Sequence, residues 1–141
     1  DSAALARNDG EYLTKTALDN NLRPLKNILV LDDDSGILDI IQTILTESGY
    51  QTFTAKNKSK FYSILEKQNI DLILVDFMMG ELNSQKEITN LKKSEKYKKT
   101  PVILMSGLTD LKSKARKMGA DDILEKPFDI STLIGKIEKL L

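Results

Sequence analysis

Acidic, hydroxyl and basic side chains follow four short apolar runs of the chain, and together they suit phosphoryl or metal chemistry. They are Asp32, Asp33 and Asp34 after the run at 28–31, Asp76 after 71–75, Ser106 after 102–105, and Lys126 after 123–124. Because the carboxyl ends of parallel strands gather along one edge of an open sheet, where ligands bind, these side chains are expected to lie close together. Several carboxylates, one hydroxyl and one ammonium at one edge indicate a metal-assisted phosphoryl site.

The carboxylates of Asp32, Asp33 and Asp76 would repel one another unless a cation or protons compensate their charge. The chain contains no Cys and no His, which excludes disulfides, thiol catalysis and cysteine-ligated zinc and removes the commonest metal ligand. A bound metal ion is therefore expected to be hard and oxygen-ligated, such as Mg²⁺. Lys126 precedes Pro127, which prevents the strand from continuing, so its ammonium is expected to point toward this edge.

The composition predicts one ordinary globular domain. The chain has 141 residues, of which 40% are hydrophobic and 30% charged, enough for one domain with a proper core. Lys and Arg equal Asp and Glu at 21 each, so no global field favours nucleic acid or an anionic membrane. The Lys-rich stretch at 92–99 is interpreted as a solvated helix end and loop. Without a membrane-length apolar stretch or a signal-peptide pattern, the cytoplasm is the expected location.

The elements that must position these side chains alternate between strand and helix from residue 28 onward. Strands are predicted at 28–31, 50–55, 71–75, 102–105 and 123–125, and helices at about 35–48, 58–68, 84–96, 110–118 and from 129 onward. Ser35 is predicted to cap the first helix, Gly49 to end it, and Asp129 to cap the last. Five such units form a doubly wound α/β domain with a parallel sheet and right-handed crossovers.

The first 26 residues differ from the rest of the chain. Their apolar residues form only a weak helical stripe, which Pro24 and its neighbours interrupt. The segment at 1–26 is interpreted as an extension, linker or tag remnant that is partly helical, or else as a helix that docks on the domain or joins it to a preceding module. The domain itself is assigned to residues 27–141.

Four segments carry a resemblance to the receiver domain of two-component response regulators, in family order and at family spacing. They are ILVLDDD at 28–34, DLILVDFMM at 71–79, VILMSG at 102–107 and GADDILEKPF at 119–128. The resemblance covers about four-fifths of the chain and implies the flavodoxin-like strand order 2-1-3-4-5 with helices on both faces.

The resemblance also implies a role for each site residue. Asp76 would be the phosphoacceptor, Lys126 would hold the phosphoryl oxygens as a point charge, and Ser106 would donate its hydroxyl to them. Asp33 and Asp76 would ligate Mg²⁺ directly, with the backbone carbonyl of Met78 as a further ligand and Asp32 acting through water. Such chemistry needs positioning and charge neutralisation more than a base.

The resemblance further implies a partner and an activity. The partner would be a histidine kinase or a histidine phosphotransfer protein, and the domain would catalyse only its own phosphorylation and slow dephosphorylation, so it is not expected to be an enzyme in the usual sense. It would be a monomer or a weak phosphorylation-dependent dimer without direct nucleic-acid or membrane binding, and the sequence does not identify its downstream protein target. It could stand alone or come from a hybrid histidine kinase or multidomain regulator.

Two alternatives from other classes remain. One is a haloacid-dehalogenase-like phosphatase using the acidic triplet at 32–34, which is disfavoured because Gly36 stands where Thr or Val is usual and Asp76 would have no role. The other is a receiver-shaped interaction domain that is never phosphorylated, against which the complete set of acidic, hydroxyl and ammonium groups argues.

Two departures from the usual receiver pattern bear on signalling, and two apolar positions bear on the lifetime of the phosphoryl group. The loop after the acceptor reads GELNS at 80–84 instead of carrying Pro-Gly and then an acidic residue with Gly, and Ile123 replaces the aromatic residue usual in the fifth strand. An aromatic rotamer switch therefore cannot operate there. Met78 and Leu108 are apolar where a hydrolytic water would approach, which predicts a long-lived phosphoryl group.

Overall fold

A five-stranded parallel sheet forms the centre of the molecule in the computed structural model, which describes residues 4–6, 12–14, 17–80, 82–107 and 118–141. Its strands, in chain order, are β3 (Asn27–Leu31), β4 (Gln51–Ala55), β5 (Leu72–Asp76), β8 (Val102–Ser106) and β9 (Asp122–Glu125). In space they follow the order β4-β3-β5-β8-β9, all parallel. The predicted flavodoxin-like order, with the second strand outside the first, is confirmed.

Helices cover both faces of this sheet, and each face has its own core. Among the described residues, the helices are α1 (Ser35–Glu47), α2 (Lys58–Lys67), α3 (Gln85–Lys93) and α4 (Ile130–Leu140). One core combines alternate residues of the central strands, such as Ile73 and Val75, with side chains of α2 and α3, such as Phe61. The other combines Leu72 and Leu74 with side chains of α1 and α4. Because β5 is buried on both faces, its apolar residues run without interruption.

The beginning of α1 differs from the prediction that Ser35 caps it. The N-cap is Asp34, whose Oδ1 accepts hydrogen bonds from the backbone N–H groups of Gly36 at 2.9 Å and Ile37 at 3.2 Å. Asp34 has the extended backbone that an N-cap requires, so the cap lies one residue earlier than predicted. The predicted end at Gly49, in the left-handed conformation with φ of 92°, and the Asp129 cap of α4 are confirmed.

Other boundaries move by a few residues. The strand predicted at 71–75 extends to Asp76 itself, and the helix predicted at 84–96 is α3, which ends at Lys93. The following residues turn so that the Tyr97 hydroxyl lies 2.7 Å from the carbonyl oxygens of both Leu65 and Gln68, at the C-terminal end of α2. The helix predicted at 110–118 lies outside the described residues, apart from Met118.

The described part of the N-terminal segment is not helical, so the helical interpretation was wrong for these residues. Two three-residue strands, β1 (Ala4–Ala6) and β2 (Tyr12–Thr14), pair antiparallel. Nearer the domain, Ala17 is buried and its carbonyl accepts the N–H of Leu25, while the carbonyl of Lys26 accepts the N–H of Gln51 at the start of β4. Residues 17–26 thus join the sheet at the amino ends of its strands.

A small hairpin follows β5. It consists of β6 (Met78–Met79) and β7 (Leu82–Asn83), antiparallel, with Gly80 at a φ of 66° in the turn. A positive φ is accessible to Gly at no steric cost. Within the ranges that the structure describes, every helix is too short or too polar to traverse a lipid bilayer.

Candidate functional site

Three carboxylates meet at the carboxyl edge of the sheet. Asp32 follows β3 directly and is fully buried, Asp76 is the last residue of β5 with 7% of its surface exposed, and Asp33 is exposed. Because β3 and β5 are neighbours with Leu31 opposite Val75, the residues that follow are brought side by side. Carboxylate oxygens of the three residues lie within 4.8 Å of one another. The clustering expected from the sequence is therefore present.

Lys126 reaches this cluster from the edge strand β9. It follows β9, and its Nζ donates hydrogen bonds to Asp32 Oδ2 at 2.7 Å and to Asp76 Oδ1 at 3.2 Å. Its backbone N–H donates to the carbonyl of Ser106 at 2.8 Å, and the Lys126–Pro127 peptide is cis. The ammonium is therefore aimed at the carboxylates, as the position before Pro127 indicated.

Ser106 and Asp34 take different places around the cluster. Ser106 ends β8, one residue beyond the pair Asp76 and Met105, and is 3% exposed. It therefore lies at the same edge as the acceptor candidate. The carboxylate of Asp34, by contrast, is used to cap α1, and only its backbone takes part in the cluster, because its N–H donates to Asp32 Oδ1 at 2.9 Å.

Burial and charge alter the protonation of the two central groups. Desolvation, and next the charge of Asp32, raise the pKa of Asp76 from 3.8 to about 6, although Lys126 opposes this. Burial by itself would lower the pKa of Lys126, but the hydrogen bond to Asp32 and the charges of Asp76 and Asp32 outweigh burial and raise it. One ammonium therefore compensates the three carboxylates only in part.

The donor set fits a hard divalent cation. Its three carboxylates converge within 4.8 Å, all their donors are oxygens, and the net charge that remains after Lys126 is negative. Mg²⁺ prefers such oxygen ligands. Both carboxylate oxygens of Asp32 already accept hydrogen bonds, Oδ1 from the N–H of Asp34 and Oδ2 from Lys126. The Asp33 carboxylate, by contrast, is exposed. This acidic cluster could bind a metal.

Sequence reasoning missed one residue of this site, Ser84. It lies between the hairpin and α3, is fully buried, and its hydroxyl donates to the backbone carbonyl of Asp76 at 2.5 Å. From the sequence, a Ser before an amphipathic helix indicates only an N-cap, so its contact with the acceptor strand had no visible signal.

Comparisons with known proteins identify the class. The chain belongs to the response regulator receiver domain family of two-component signal transduction, whose model matches residues 28–138. Transcriptional regulatory protein CrdR of Helicobacter pylori is 34% identical over 117 residues, 81% of this chain and 54% of that protein. Phosphate regulon transcriptional regulatory protein PhoB of Pseudomonas aeruginosa is 30% identical over 118 residues, 82% and 52% respectively. The chain spans about half the length of these curated relatives.

Solved structures agree with this assignment. Response regulator protein TrrA of Thermotoga maritima, crystallised in complex with Mg(2+)-BeF, superposes with a TM-score of 0.74 at 28% identity, covering 83% of this chain and 100% of that one. The signal receiver domain of a signal transduction histidine kinase from Syntrophus aciditrophicus gives 0.73 at 30% identity, covering 82% and 89%. The resemblance to receiver domains stated from the sequence is confirmed.

Proposed function

We propose that this domain accepts a phosphoryl group on Asp76 from the phosphohistidine of a histidine kinase or histidine phosphotransfer protein. The observation that carries the proposal is the position of the Asp76 carboxylate, at the end of a buried strand, beside Asp32 and Asp33 and bonded to Lys126. An oxygen of Asp76 attacks phosphorus, the P–N bond of the donor breaks, and the donor histidine leaves as neutral imidazole after taking up a proton.

Asp76 must be ionised to attack. With a pKa of about 6, roughly nine-tenths of the carboxyl groups are ionised at pH 7 in the metal-free protein. The longer of the two Lys126 contacts, 3.2 Å to Asp76, is the one that gives way to an incoming phosphoryl oxygen, while the 2.7 Å contact to Asp32 keeps the ammonium in place. Ser106, at the same edge, donates its hydroxyl to a second phosphoryl oxygen.

The residues that would hold Mg²⁺ are Asp33 and Asp76 directly, the backbone carbonyl of Met78, and Asp32 through water. When bound, the ion neutralises charge on the carboxylates and on the phosphoryl group. Catalysis of this kind depends on positioning and charge. The domain phosphorylates only its own Asp76, and the product is hydrolysed slowly because Met78, beside the acceptor, is apolar.

The domain signals through the proteins or domains to which it is linked or which it binds. The curated relatives are transcriptional regulators of which this chain covers about half, so one setting is a multidomain regulator. A hybrid histidine kinase and a stand-alone cytoplasmic domain are the other settings. We expect a monomer or weak phosphorylation-dependent dimer. Since Ile123 packs against the core on the α2 and α3 face, the phosphorylated state must be communicated without an aromatic rotamer at that position.

The test compares three proteins with a small-molecule phosphodonor and Mg²⁺. Wild type and Asp34→Asn should be labelled at equal rates, because Asn is an equally good N-cap and the Asp34 carboxylate is used for capping. Asp76→Asn should not be labelled. Labelling of Asp76→Asn would overturn the assignment, and steady turnover of a generic phosphate ester by wild type would indicate a phosphatase instead.

A further inference from the structure

Ser84 occupies the N-cap position of α3 without capping it. Its side chain makes no cap hydrogen bond, although Ser at this position normally accepts one from the N–H groups of the first turn. The side-chain oxygen of the preceding residue, Asn83, accepts the N–H of Gln85 at 3.0 Å instead. The Ser84 hydroxyl is directed into the protein, where it donates to the Asp76 carbonyl at 2.5 Å.

The Asp76 carbonyl lies where the regular sheet pairing ends. On one side, the register of β3 with β5 stops at Leu31 opposite Val75. On the other side, the bond beyond Asp76 is made by the next residue, Phe77, whose N–H donates to the Met105 carbonyl at 2.9 Å. A buried carbonyl without a partner is costly, and the Ser84 hydroxyl supplies the partner here.

Ser84 also forms a hydrogen bond with the next peptide group of the chain after that of Asp76. Its backbone N–H donates to the carbonyl of Phe77 at 2.9 Å, so one residue holds two consecutive carbonyls and closes the base of the hairpin that carries Met78. The base of this hairpin has a further contact, because Lys58 Nζ donates to the Asn83 carbonyl at 3.3 Å and pairs with buried Glu87 at 2.9 Å.

We propose that Ser84 is a positioning residue for the phosphoryl acceptor, and this inference rests on the proposed function. A peptide group is planar and rotates as a unit, so a hydrogen bond to the Asp76 carbonyl fixes the peptide plane that begins one bond from the Asp76 Cα. Holding that plane fixes the ψ angle of Asp76, and with it the backbone from which the acceptor side chain projects and the placement of the backbone leading to Met78. Misplacing a reacting group by about 1 Å can cost on the order of 100-fold in rate.

The experiment measures the phosphorylation rate against phosphodonor concentration, in Mg²⁺, for wild type, Ser84→Ala and a matched control. The control is Thr89→Ala, which also removes a hydroxyl that donates to a carbonyl, that of Gln85 at 2.9 Å, on α3 but away from the site. Ser84→Ala should lower the maximal rate by about tenfold with little change in the half-saturating donor concentration. Thr89→Ala should keep the wild-type rate.

One further readout and one further variant separate positioning from stability. The ¹⁵N resonance of Phe77, whose nitrogen shares a peptide group with the Asp76 carbonyl, should shift in Ser84→Ala more than the amide resonances of β5. If Ser84→Ala does not fold, Ser84→Cys, which retains a weak donor, should fold and be at least about threefold slower than wild type.

The outcomes are distinct from those of the proposed function. If Ser84→Ala, or Ser84→Cys in its place, is phosphorylated as fast as Thr89→Ala, or if the Phe77 resonance does not move, the positioning role is overturned while phosphorylation of wild type still supports the function. If wild type itself is not labelled on Asp76, the proposed function fails, and the inference fails with it.

Discussion

Replacing the acceptor carboxylate by an amide should stabilise the metal-free protein at neutral pH. Asp76 is 7% exposed and its pKa is raised from 3.8 to about 6, chiefly by desolvation and then by the charge of Asp32. The folded protein therefore binds a proton at this site at a higher pH than the unfolded chain does. Ionising Asp76 costs folding free energy, so the stability of wild type falls as pH rises from about 4 to about 6.

The size of this effect follows from the pKa difference. The change from 3.8 to about 6 corresponds to about 3 kcal/mol of unfolding free energy at pH 7. The amide in Asp76→Asn cannot ionise, and Lys126 keeps its 2.7 Å bond to Asp32 in the variant, so the substitution leaves no buried charge alone. Asp76→Asn should gain about 2 to 3 kcal/mol at pH 7.5 and almost nothing at pH 4.

Urea unfolding followed by circular dichroism, with EDTA present, measures this at both pH values. Asp129→Asn provides a control of opposite sign: hydrogen bonds from Thr132 and Ser131 lower the pKa of Asp129, so its ionised form stabilises, and the variant should lose stability at pH 7.5 but not below the carboxyl range. A stability gain for Asp76→Asn that is equal at pH 4 and pH 7.5, or a loss at pH 7.5, would refute the reasoning.

Four further predictions concern Mg²⁺ binding, Lys126, Tyr97 and the lifetime of the phosphoryl group. Mg²⁺ should raise the melting temperature of wild type by mass action, measured by calorimetry, and Asp33→Asn should largely abolish the rise. Lys126→Gln should lower the unfolding free energy by about 3 to 5 kcal/mol, because fully buried Asp32 loses its partner; a loss no larger than that of surface substitutions in urea unfolding would contradict this. Tyr97→Phe should cost about 1 to 2 kcal/mol by the same method and leave the labelling rate unchanged, since its hydroxyl bonds the end of α2. The phosphoryl group should persist for minutes or longer in a decay assay, because the half-exposed side chain of Met78 is apolar, and Met78→Asn should shorten its lifetime; decay of wild type within seconds would contradict this.

The sheet and the carboxylate cluster were predictable because they depend on regularities of the backbone. A continuous apolar run indicates a strand buried on both faces, and parallel strands gather their carboxyl ends at one edge. Those two rules place Asp32, Asp76 and Lys126 together without any tertiary information. In the structure, Lys126 lies within hydrogen-bond distance of both carboxylates.

The details that failed depend on choices between residues of nearly equal preference. Asp34 and Ser35 are both good N-caps, and the extended backbone of Asp34 decided between them. Ser84 was missed for the related reason that its hydroxyl bonds a strand eight residues earlier in the chain, a contact that exists only in the folded protein. In the N-terminal segment, the apolar residues form only a weak helical stripe, and β1 pairs with β2 instead.

The way residues 17–26 join the sheet has a consequence for how the domain can be connected. The segment leads directly into β3 and attaches to the amino end of β4 through the hydrogen bond of Lys26 with Gln51, while the hydrogen bond of Ala17 with Leu25 closes the segment on itself. The carboxylate cluster lies at the other end of β3, a strand length of roughly 16 Å away. A linker that enters through this segment therefore leaves the approach to Asp76 open. The domain can be joined to another protein at one end of the sheet while a phosphodonor binds at the other end.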